Sequence, residues 1–384
     1  MTLRGTPNAP RSLQGLRVVD FTTMIAGPYC TRCLADSGAE VIKVEEPGGD
    51  FMRNFAPLRE GQSAYFGTFN GGKKSVELDL KSPAGLLNAR ALIDSADVVV
   101  ENFRPGVMKR FGLDYETVAR SNPRLIYCAI SGYGQDGPGA DSPAYAHVIH
   151  ARSGFDHAWM GYQDPPRRPA NSAIFFADVL AAIYGFSAIL TALYQRTQTG
   201  QGQFIDVALL ECMLGMLPYE VQAAQFPALT PRPVYPPVRT SDGFLMLAPV
   251  SPRTVEGMLS AVELTGWRED SRFATASARL VHWAEMMALV QEWTATRTMA
   301  ECEAVFIRHG VPVSRYKSVA EALSDEVLDH RQSMQAVEDA AGRFLVPNLP
   351  YVMSAATVQV GAAVPTLGQH NEEFFPDKNH PEPE

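Results

Sequence analysis

Cysteine is scarce in this chain, and its scarcity limits both redox and metal chemistry. The 384 residues include five cysteines: Cys30, Cys33, Cys128, Cys212 and Cys302. This odd number, with a polar stretch at residues 1–14 in place of a secretory signal, leads us to expect a cytoplasmic protein without a disulfide framework. The spacing Cys30-x-x-Cys33 allows a redox pair, but no second Cys or His pair at metal-ligand spacing accompanies it. We expect two small packed residues there and no metal site.

Positive charge is also in deficit. Lysine and arginine number 33 against 42 acidic residues, a formal net charge of −9. Bulk electrostatics therefore give no support to nucleic-acid or membrane-surface binding, although a local basic patch for a small anion stays open. The longest uncharged stretch, Val179 to Gln195, is shorter than a comfortable membrane span and contains Gly185, so we expect a buried core helix.

A glycine-rich dinucleotide fingerprint is absent after the first predicted strand. The loop there reads Thr22-Thr23-Met24-Ile25-Ala26-Gly27-Pro28 rather than Gly-x-Gly-x-x-Gly. A nicotinamide or flavin dinucleotide site loses its main support. A helix amino terminus can still face a phosphate in such a loop.

What the chain does contain is an alternation of apolar strands and helices. The predicted strands are residues 16–21, 41–44, 98–100 and 124–130; the predicted helices are one opened by Gly27-Pro28 and another over 82–95. This βαβ pattern predicts an α/β fold with a Rossmann-like parallel sheet, whose ligands bind beyond the carboxyl ends of the strands.

Composition changes in a proline-rich stretch near residue 226. We expect a linker over 226–240, a large domain over 1–225 completed by 335–384, and a small α+β domain over 241–334. Within the small domain, Phe244 to Ala248 reads as a strand. Two capping boxes are predicted, Thr298 with Glu301 and Ser318 with Glu321.

A lone acid, Asp178, stands just before the uncharged run, with no other charge until Arg196. A carboxylate at the mouth of a buried helix can cap that helix by accepting backbone hydrogen bonds. It can also act as a nucleophile held in a dry pocket. Taken alone, the residues around Asp178 favour the cap.

Several segments, in order along nearly the whole chain, resemble one family. They are Asp20-Phe21-x5-Gly27-Pro28, Leu34-Ala35-Asp36 to Glu45, Asn70-x-x-Lys73-Lys74-Ser75 to Lys81, Glu101-Asn102-Phe103-Arg104-Pro105-Gly106, Ser131-Gly132-Tyr133-Gly134 to Pro138, Thr199-Gly200-x-Gly202-Gln203 and Pro365-x-Leu367-Gly368. Each segment alone is weak evidence, but the ordered set resembles the class III CoA-transferases. The resemblance implies a large Rossmann-like domain formed by both chain ends, a small middle domain and an interlocked homodimer.

The resemblance also implies a reaction in which Asp178 is catalytic. The aspartate attacks an acyl-CoA thioester to give a mixed anhydride, CoA then forms an aspartyl-CoA thioester, and an acceptor carboxylate reverses the sequence. Coenzyme A is a substrate here, no cofactor is tightly bound, and the exchange needs neither ATP nor metal. The CoA-binding residues that carry over by motif are Met24, Ile25, Ala26, Leu78, Lys81, Asn102, Phe103, Arg104, Arg110 and Tyr133.

The chain departs from the family pattern at four places. Ile25 stands where formyl-CoA transferase has a glutamine, which argues against an oxalate-type substrate. Glu46 replaces an arginine of some members, so adenosine contacts must differ there. The proline-rich stretch occupies the region of a glycine-rich loop. Tyr145-Ala146 replaces the Tyr-Asp pair that many members carry.

Two further activities and a non-enzymatic role remain open at this point. α-Methylacyl-CoA racemases share the fold but need a histidine where this chain has Tyr145, with His147 and His150 nearby. An isomerase that moves CoA between two carboxyls of one molecule would use the same groups. A CoA-binding protein without activity would not turn over any substrate.

Arg152, Arg167 and Arg168 are candidates to hold the far carboxylate of a dicarboxylic acid such as succinate, although exposed loop arginines are the commoner case.

Overall fold

The computed structural model of the chain describes residues 9–163, 168–169, 172–226 and 234–376. The chain divides into two compact units, Met1–Pro218 with Glu326–Glu384 and Tyr219–Asp325. The domain boundaries at 225, 240 and 334 that we expect from the sequence stay predictions, and most of the proline-rich stretch lies outside the described residues.

The strands of both units are short. In chain order they are β1 (Arg17–Asp20), β2 (Glu40–Glu45), β3 (Leu58–Arg59), β4 (Gln62–Ser63), β5 (Lys74–Glu77), β6 (Val98–Glu101), β7 (Ile126–Ser131), β8 (Gln203–Ala208), β9 (Val238–Arg239), β10 (Phe244–Leu247), β11 (Val313–Arg315), β12 (Met334–Asp339) and β13 (Gly342–Pro347).

Helices connect these strands. In chain order they are α1 (Ala26–Asp36), α2 (Ala64–Asn70), α3 (Pro83–Asp94), α4 (Val107–Arg110), α5 (Tyr115–Val118), α6 (Ala146–Arg152), α7 (Phe155–Gly161), α8 (Phe176–Thr199), α9 (Leu209–Gly215), α10 (Pro218–Gln225), α11 (Pro252–Ala261), α12 (Ala276–Val281), α13 (Trp283–Thr294), α14 (Met299–Arg308), α15 (Val319–Leu323), α16 (Glu326–His330) and α17 (Asn371–Phe374). A 3-10 turn, Phe51–Asn54, follows β2.

The larger unit is built on a six-stranded parallel sheet in the order β5-β2-β1-β6-β7-β8. The α/β class expected from the sequence is therefore confirmed, and the predicted βαβ unit is β1-α1-β2. Strand β2 pairs with one edge of β1, and β6, much later in the sequence, pairs with the other edge of β1. A crevice forms where the order reverses, at the carboxyl ends of β1 and β6, and such crevices hold ligands in open α/β sheets.

Helices cover both faces of this sheet. On one face α3 packs its Ala89, Leu92 and Ile93 against the strands in a buried apolar cluster. On the other face α8 runs beside α1, and the two approach closely at Gly185, where an added Cβ would lie 3.2 Å from the Cys30 sulfur. This close packing sets the position of α8, and with it the position of Asp178 at its amino end.

Helix α8 is long and apolar enough to cross a membrane by length and composition alone. Its buried residues lie along one side; they include Ala181, Ala182, Gly185 and Ile189. A core helix packed on α1 accounts for this side. The opposite side carries Val179, Ile183 and Tyr184, which are exposed.

The five cysteines are free and buried. Cys30 and Cys33 lie on α1 with fully buried side chains. Burial raises the pKa of the Cys33 thiol to about 12, so its reactive thiolate is disfavoured. This supports packing rather than redox chemistry for the pair.

The smaller unit combines a three-stranded antiparallel sheet, in the order β11-β10-β9, with the helices α11 to α14. Its α+β character follows the expectation, and β10 coincides with the predicted strand. Both predicted capping boxes are confirmed, since Thr298 with Glu301 and Ser318 with Glu321 exchange the reciprocal bonds that cap α14 and α15.

Candidate active site

A cavity of about 210 Å³ opens at the carboxyl ends of β1, β6 and β7. The loop after β1 and the loop after β6 form two of its walls, and the first turn of α8 closes a third. Its lining includes Thr23, Met24, Ala26, Asn102, Phe103, Arg104, Ser131, Gly132, Tyr145 and Asp178. The sequence-predicted nucleophile thus lies in the crevice that the sheet order creates.

A second cavity of about 420 Å³ adjoins the first. The two share Thr23 and Phe103 in their linings. Apolar side chains make up much of the lining of the second one, among them Phe21, Val44, Leu78, Leu80, Val107 and Phe111. Its charged lining residues are Lys81 and the acids Glu45, Glu46, Asp50 and Asp79. A long ligand with an apolar or aromatic end can therefore run from the second cavity into the first.

The loop after β1 is held by side chains that satisfy its backbone. Thr22 N donates to Asp20 Oδ1 at 2.9 Å, and Lys43 Nζ donates to Thr22 O at 2.7 Å. Asn102 makes two bonds to one residue: its Oδ1 accepts from Thr23 N at 2.9 Å and its Nδ2 donates to Thr23 O at 2.8 Å. Because these backbone groups have fixed partners, the wall of the cavity has one conformation.

Met24, the next residue, has φ of 68°, a left-handed conformation that is uncommon for a side chain of this kind. Such conformations persist only where the surroundings determine them. Here Asp50 contributes, since its Oδ2 accepts from Lys43 Nζ at 2.9 Å while its Oδ1 faces Met24 N at 3.5 Å. The strained turn aims the chain into α1 beside the cavity.

A second buried ion pair lies beneath this loop. Lys73 Nζ donates to Asp20 Oδ2 at 2.9 Å and also to the Thr31 hydroxyl and the Asn70 side chain at 2.8 Å each. Burial acts to raise the pKa of Asp20, but Lys73 and Lys43 with the two threonine hydroxyls outweigh it and lower that pKa to about 2. Asp20 is therefore ionised and fully hydrogen-bonded at any physiological pH.

Asp178 is the third residue of α8, but it does not cap that helix. In the part of the chain that the structure describes, its carboxylate accepts no hydrogen bond and forms no ion pair. Burial raises its pKa to about 6, and the nearby His147 opposes that shift. The carboxylate is thus partly dry, unpaired and directed to the cavity, as a nucleophile requires.

His150 supplies the cap that Asp178 does not. Its Nε2 accepts the backbone N–H of Ala177 at 3.2 Å, in the first turn of α8. That nitrogen must be unprotonated to accept, and burial lowers the pKa of His150, which favours the neutral ring. The amide of Ala177 is consequently engaged and is not free to bind an oxyanion.

The structure brings most of the predicted site residues together. Met24, Ala26, Asn102, Phe103, Arg104 and Tyr145 share the first cavity with Asp178, and Leu78, Lys81 and Phe103 line the second. The Asn102 side chain holds the loop after β1, because its amide oxygen and nitrogen both bind the backbone of Thr23.

Several predicted residues line neither of these cavities. Ile25 is buried in a cluster with Met52, Phe66 and Phe69 behind the loop. Arg110 is exposed at the end of α4, and Arg168 is exposed. The Arg152 guanidinium lies 4.3 Å from the centre of the Tyr133 ring, so these two side chains stack on each other. His147 is exposed on α6, and Arg167 lies outside the described residues.

Sequence reasoning missed Tyr65 and the buried lysines. Burial, with the negative charge of Asp178, raises the pKa of the Tyr65 phenol, so that α2 places a hydroxyl within electrostatic reach of Asp178. A signal existed for Lys43: it interrupts the apolar run Val41-Ile42-Lys43-Val44 of a buried parallel strand. A lysine in such a strand needs a buried anionic partner.

Comparison with known proteins decides the family. Residues 13–371 match the model of CoA-transferase family III. The chain belongs to this family. It is 35% identical to the succinyl-CoA–D-citramalate CoA-transferase of Chloroflexus aurantiacus, over 96% of this chain and 94% of that protein. It is 33% identical to the succinate–glutarate CoA-transferase of Agrobacterium fabrum, over 95% of each.

Solved structures agree. A CaiB/BaiF family protein from Brucella suis superposes with a TM-score of 0.83 at 32% identity, covering 96% of this chain and 99% of that one. Rv3272 from Mycobacterium tuberculosis gives 0.87 at 28% identity, covering 96% and 100%. The resemblance inferred from the motifs is confirmed, and this protein is a class III CoA-transferase.

The buried ion pair between Lys43 and Asp50 offers a stability test of this CoA-transferase. Replacing Asp50 by Ala leaves the Lys43 ammonium buried without its carboxylate, and we expect a loss of about 3–5 kcal/mol of unfolding free energy. The matched control is Asp141→Ala, at an exposed position, with an expected change within about 0.5 kcal/mol. Urea denaturation measures both. Equal midpoints and slopes for the two variants would show that the pair does not hold the loop.

Proposed function

We propose that this CoA-transferase moves CoA from a dicarboxyl-CoA thioester, with succinyl-CoA as the first candidate, to a carboxylic acid through covalent intermediates on Asp178. The observation that carries the proposal is the unpaired Asp178 carboxylate in the wall of the cavity. Several relatives support the donor, because their names specify succinyl-CoA with citramalate, malate, glutarate or mesaconate.

The reaction balances without an external co-reactant. A carboxylate oxygen of Asp178 attacks the thioester carbonyl, the C–S bond breaks, and CoA leaves as a thiolate while a mixed anhydride forms. The thiolate then attacks the aspartyl carbonyl of that anhydride, which releases the donor acid as a carboxylate and leaves an aspartyl-CoA thioester. The acceptor carboxylate repeats both steps in reverse order and regenerates Asp178.

The surroundings of Asp178 suit this sequence. With a pKa of about 6, the carboxylate is mostly ionised near pH 7, yet burial has removed much of its hydration. The helix amino terminus favours its negative charge. Both reactants are held in one crevice, so the later steps avoid the entropy of a new encounter, worth up to ~7–11 kcal/mol in ideal cases.

For CoA itself we propose that the nucleotide end occupies the larger apolar cavity and the thioester end the smaller one. Leu78 and Phe103 offer apolar faces and Lys81 offers charge for a phosphate. Thr23 and Phe103 line both cavities, and we place the pantetheine arm beside them, where it passes from one cavity to the other.

Intact mass spectrometry tests the covalent role. We expect the protein incubated with succinyl-CoA to gain the mass of CoA less one water, and Asp178→Asn to gain nothing and lose at least 10³-fold in kcat. The large loss follows because an amide cannot open the thioester at a useful rate. Asp156→Asn, on the neighbouring α7, is the control and keeps the adduct.

An adduct that persists in Asp178→Asn would contradict the mechanism. The same samples in deuterated water separate the racemase alternative, which exchanges the proton next to the thioester carbonyl. Racemases use a histidine where Tyr145 lines this cavity, and we expect no deuterium in the recovered acyl-CoA. An intramolecular isomerase would convert the CoA thioester of an unsymmetrical dicarboxylic acid into its isomer with no second acid added, whereas a transferase needs the acceptor to complete a turnover.

We propose Arg104, rather than Arg152 or Arg168, as the group that holds the far carboxylate of a dicarboxylic acid. Among the described residues that line the Asp178 cavity, Arg104 alone carries a positive charge. Arg152 is stacked on Tyr133 and lines neither this cavity nor its neighbour. A guanidinium binds a carboxylate through two parallel hydrogen bonds, which also fixes the orientation of the acid.

Steady-state kinetics with matched acids test this anchor. For Arg104→Gln we expect kcat/KM for glutarate to fall about 10- to 100-fold, equivalent to one charged hydrogen-bonded contact of ~1.5–3 kcal/mol. The value for butyrate, which lacks the second carboxylate, should change far less. Arg152→Gln is the control. An equal loss with both acids would assign Arg104 to CoA instead.

We also propose that the protein is a homodimer of the cytoplasm. The exposed side of α8 carries Val179, Ile183 and Tyr184, apolar residues that a partner surface would cover. Free, buried thiols suit a reducing compartment.

Light scattering after size-exclusion chromatography tests the dimer. We expect twice the chain mass of 41.9 kDa, and a shift towards one chain mass for Ile183→Glu, because a buried unpaired charge weakens an apolar interface. Leu87→Glu is the control, an exposed leucine on α3. A single-chain mass for the unsubstituted protein at micromolar concentration would contradict the proposal.

A further inference from the structure

An acid without a protein partner lies at the carboxyl end of β2. Glu46 directly follows that strand, is exposed and lines the larger cavity. Backbone bonds hold its position, since Leu78 N donates to Glu45 O at 2.9 Å and Gly49 N donates to Glu46 O at 2.8 Å. In the ranges that the structure describes, no hydrogen bond or ion pair holds the Glu46 carboxylate. The fold therefore fixes where this residue stands and leaves its side chain to a ligand.

Two other acids of the same lining are already engaged. The Arg53 guanidinium binds both oxygens of Glu45, from Nε to Oε2 and from Nη2 to Oε1, at 2.7 Å each. Asp50 forms a buried ion pair with Lys43 at 2.9 Å. Their charges are balanced within the protein, whereas the charge of Glu46 faces the cavity.

The charge balance of the larger cavity suits one phosphate group better than two. Among the described residues that line it, Lys81 alone is basic. Asp79 lies beside that lysine and accepts the Lys81 backbone N–H at 2.9 Å. Coenzyme A carries a diphosphate and a separate 3′-phosphate on its ribose. Lys81 can serve the diphosphate, but a ribose phosphate beside Glu46 would meet a carboxylate of its own sign.

The place of Glu46 in the sheet indicates a different partner, a ribose with free hydroxyls. In dinucleotide-binding α/β folds an acid about 20 residues beyond the loop after the first strand binds a ribose hydroxyl, and an arginine nearby accommodates a phosphate there. Glu46 lies about that far beyond Ala26, on the strand next to β1. The chemistry does not require the glycine fingerprint that this chain lacks, because a carboxylate accepts hydrogen bonds from a diol wherever a strand end presents it.

We propose that Glu46 binds the ribose hydroxyls of the nucleotide and that this protein has no requirement for the 3′-phosphate, so that thioesters of dephospho-CoA are substrates as good as those of CoA. The proposal rests on the proposed placement of the CoA nucleotide in the larger cavity and deepens it. Dephospho-CoA keeps the diphosphate for Lys81 and offers Glu46 two hydroxyls, whereas CoA offers one hydroxyl and a repelling phosphate.

Calorimetric titration with the free nucleotides tests the contact without any turnover. We expect the Kd of CoA to equal that of dephospho-CoA or to exceed it by up to about fivefold, the range of an interaction between exposed charges. In Glu46→Ala, dephospho-CoA should bind about 5- to 10-fold more weakly, the loss of one hydrogen-bonded contact, and CoA should change less.

Glu46→Arg should reverse the preference. A guanidinium binds a phosphate through paired hydrogen bonds, so we expect CoA to bind about 10-fold or more tightly than before, while dephospho-CoA loses its acceptor and binds more weakly. Glu292→Arg is the control. It makes the same change of charge at an exposed position of α13, outside both cavity linings, and should leave both Kd values unchanged.

Steady-state kinetics with succinyl-CoA and succinyl-dephospho-CoA give the second readout. The ribose is separated from the thioester by the whole pantetheine arm, so the Glu46 substitutions should change KM and leave kcat as it is.

Three results would overturn the proposal. They are a preference for CoA of more than about tenfold in the unsubstituted protein, Glu46 variants that change both nucleotides by one factor or not at all, and no binding of either nucleotide. A protein that binds both nucleotides but gains no adduct from succinyl-CoA would contradict the proposed function instead, and the ratio of the two Kd values would still decide the role of Glu46.

Discussion

The site depends on one buried electrostatic arrangement, the two lysines that hold the loop after β1. Lys43 and Lys73 come from two different strand regions and converge on Asp20 and Asp50 with fully buried side chains. A buried ion pair of this kind adds little net stability over apolar packing, but removing one partner is costly. The pairs instead fix the conformation of the loop after β1. Lys43 also donates a hydrogen bond to the carbonyl of Thr22 and thereby places Met24, with its left-handed backbone, beside the cavity.

Asp178 presents the opposite case, a carboxyl with no hydrogen-bond or ion-pair partner among the residues that the structure describes. Its folded pKa of about 6 lies above the ordinary value of 3.8, so the unfolded chain ionises more readily than the folded one. Stability is therefore lost as pH rises from about 4 to 6, and the loss near pH 7 is on the order of 2–3 kcal/mol. Capping and folding stability therefore do not account for Asp178, which is what the proposed nucleophilic role would explain.

Local pattern was sufficient to predict the parts of this molecule that local interactions form. The β1-α1-β2 unit, the strand β10 and both capping boxes follow from spacing within a few residues, and the structure contains them. β5 and β8 were not identified as strands. Lys74–Glu77 carries charge at both ends, and Gln203–Ala208 has polar residues at Gln203 and Asp206 with two apolar residues after each, so neither shows the pattern of a strand. Their pairing is set by neighbours far away in the sequence.

The same distinction explains what the sequence could and could not predict about the site. Motif order pointed to Asp178 and to the loops after β1 and β6, which line the same cavity. It could not show that His150, 27 positions before Ala177, accepts the Ala177 N–H in the first turn of α8.

Arg152, Arg167 and Arg168 were candidates for the carboxylate anchor because they precede Asp178 in the sequence. The Arg152 guanidinium stacks on Tyr133, whereas Arg104, in the loop after β6, lines the Asp178 cavity. In a parallel sheet the residues that share a site follow different strands. Sequence distance from Asp178 is therefore a poor guide to which cation lines its cavity, and the order of the strands is the better one.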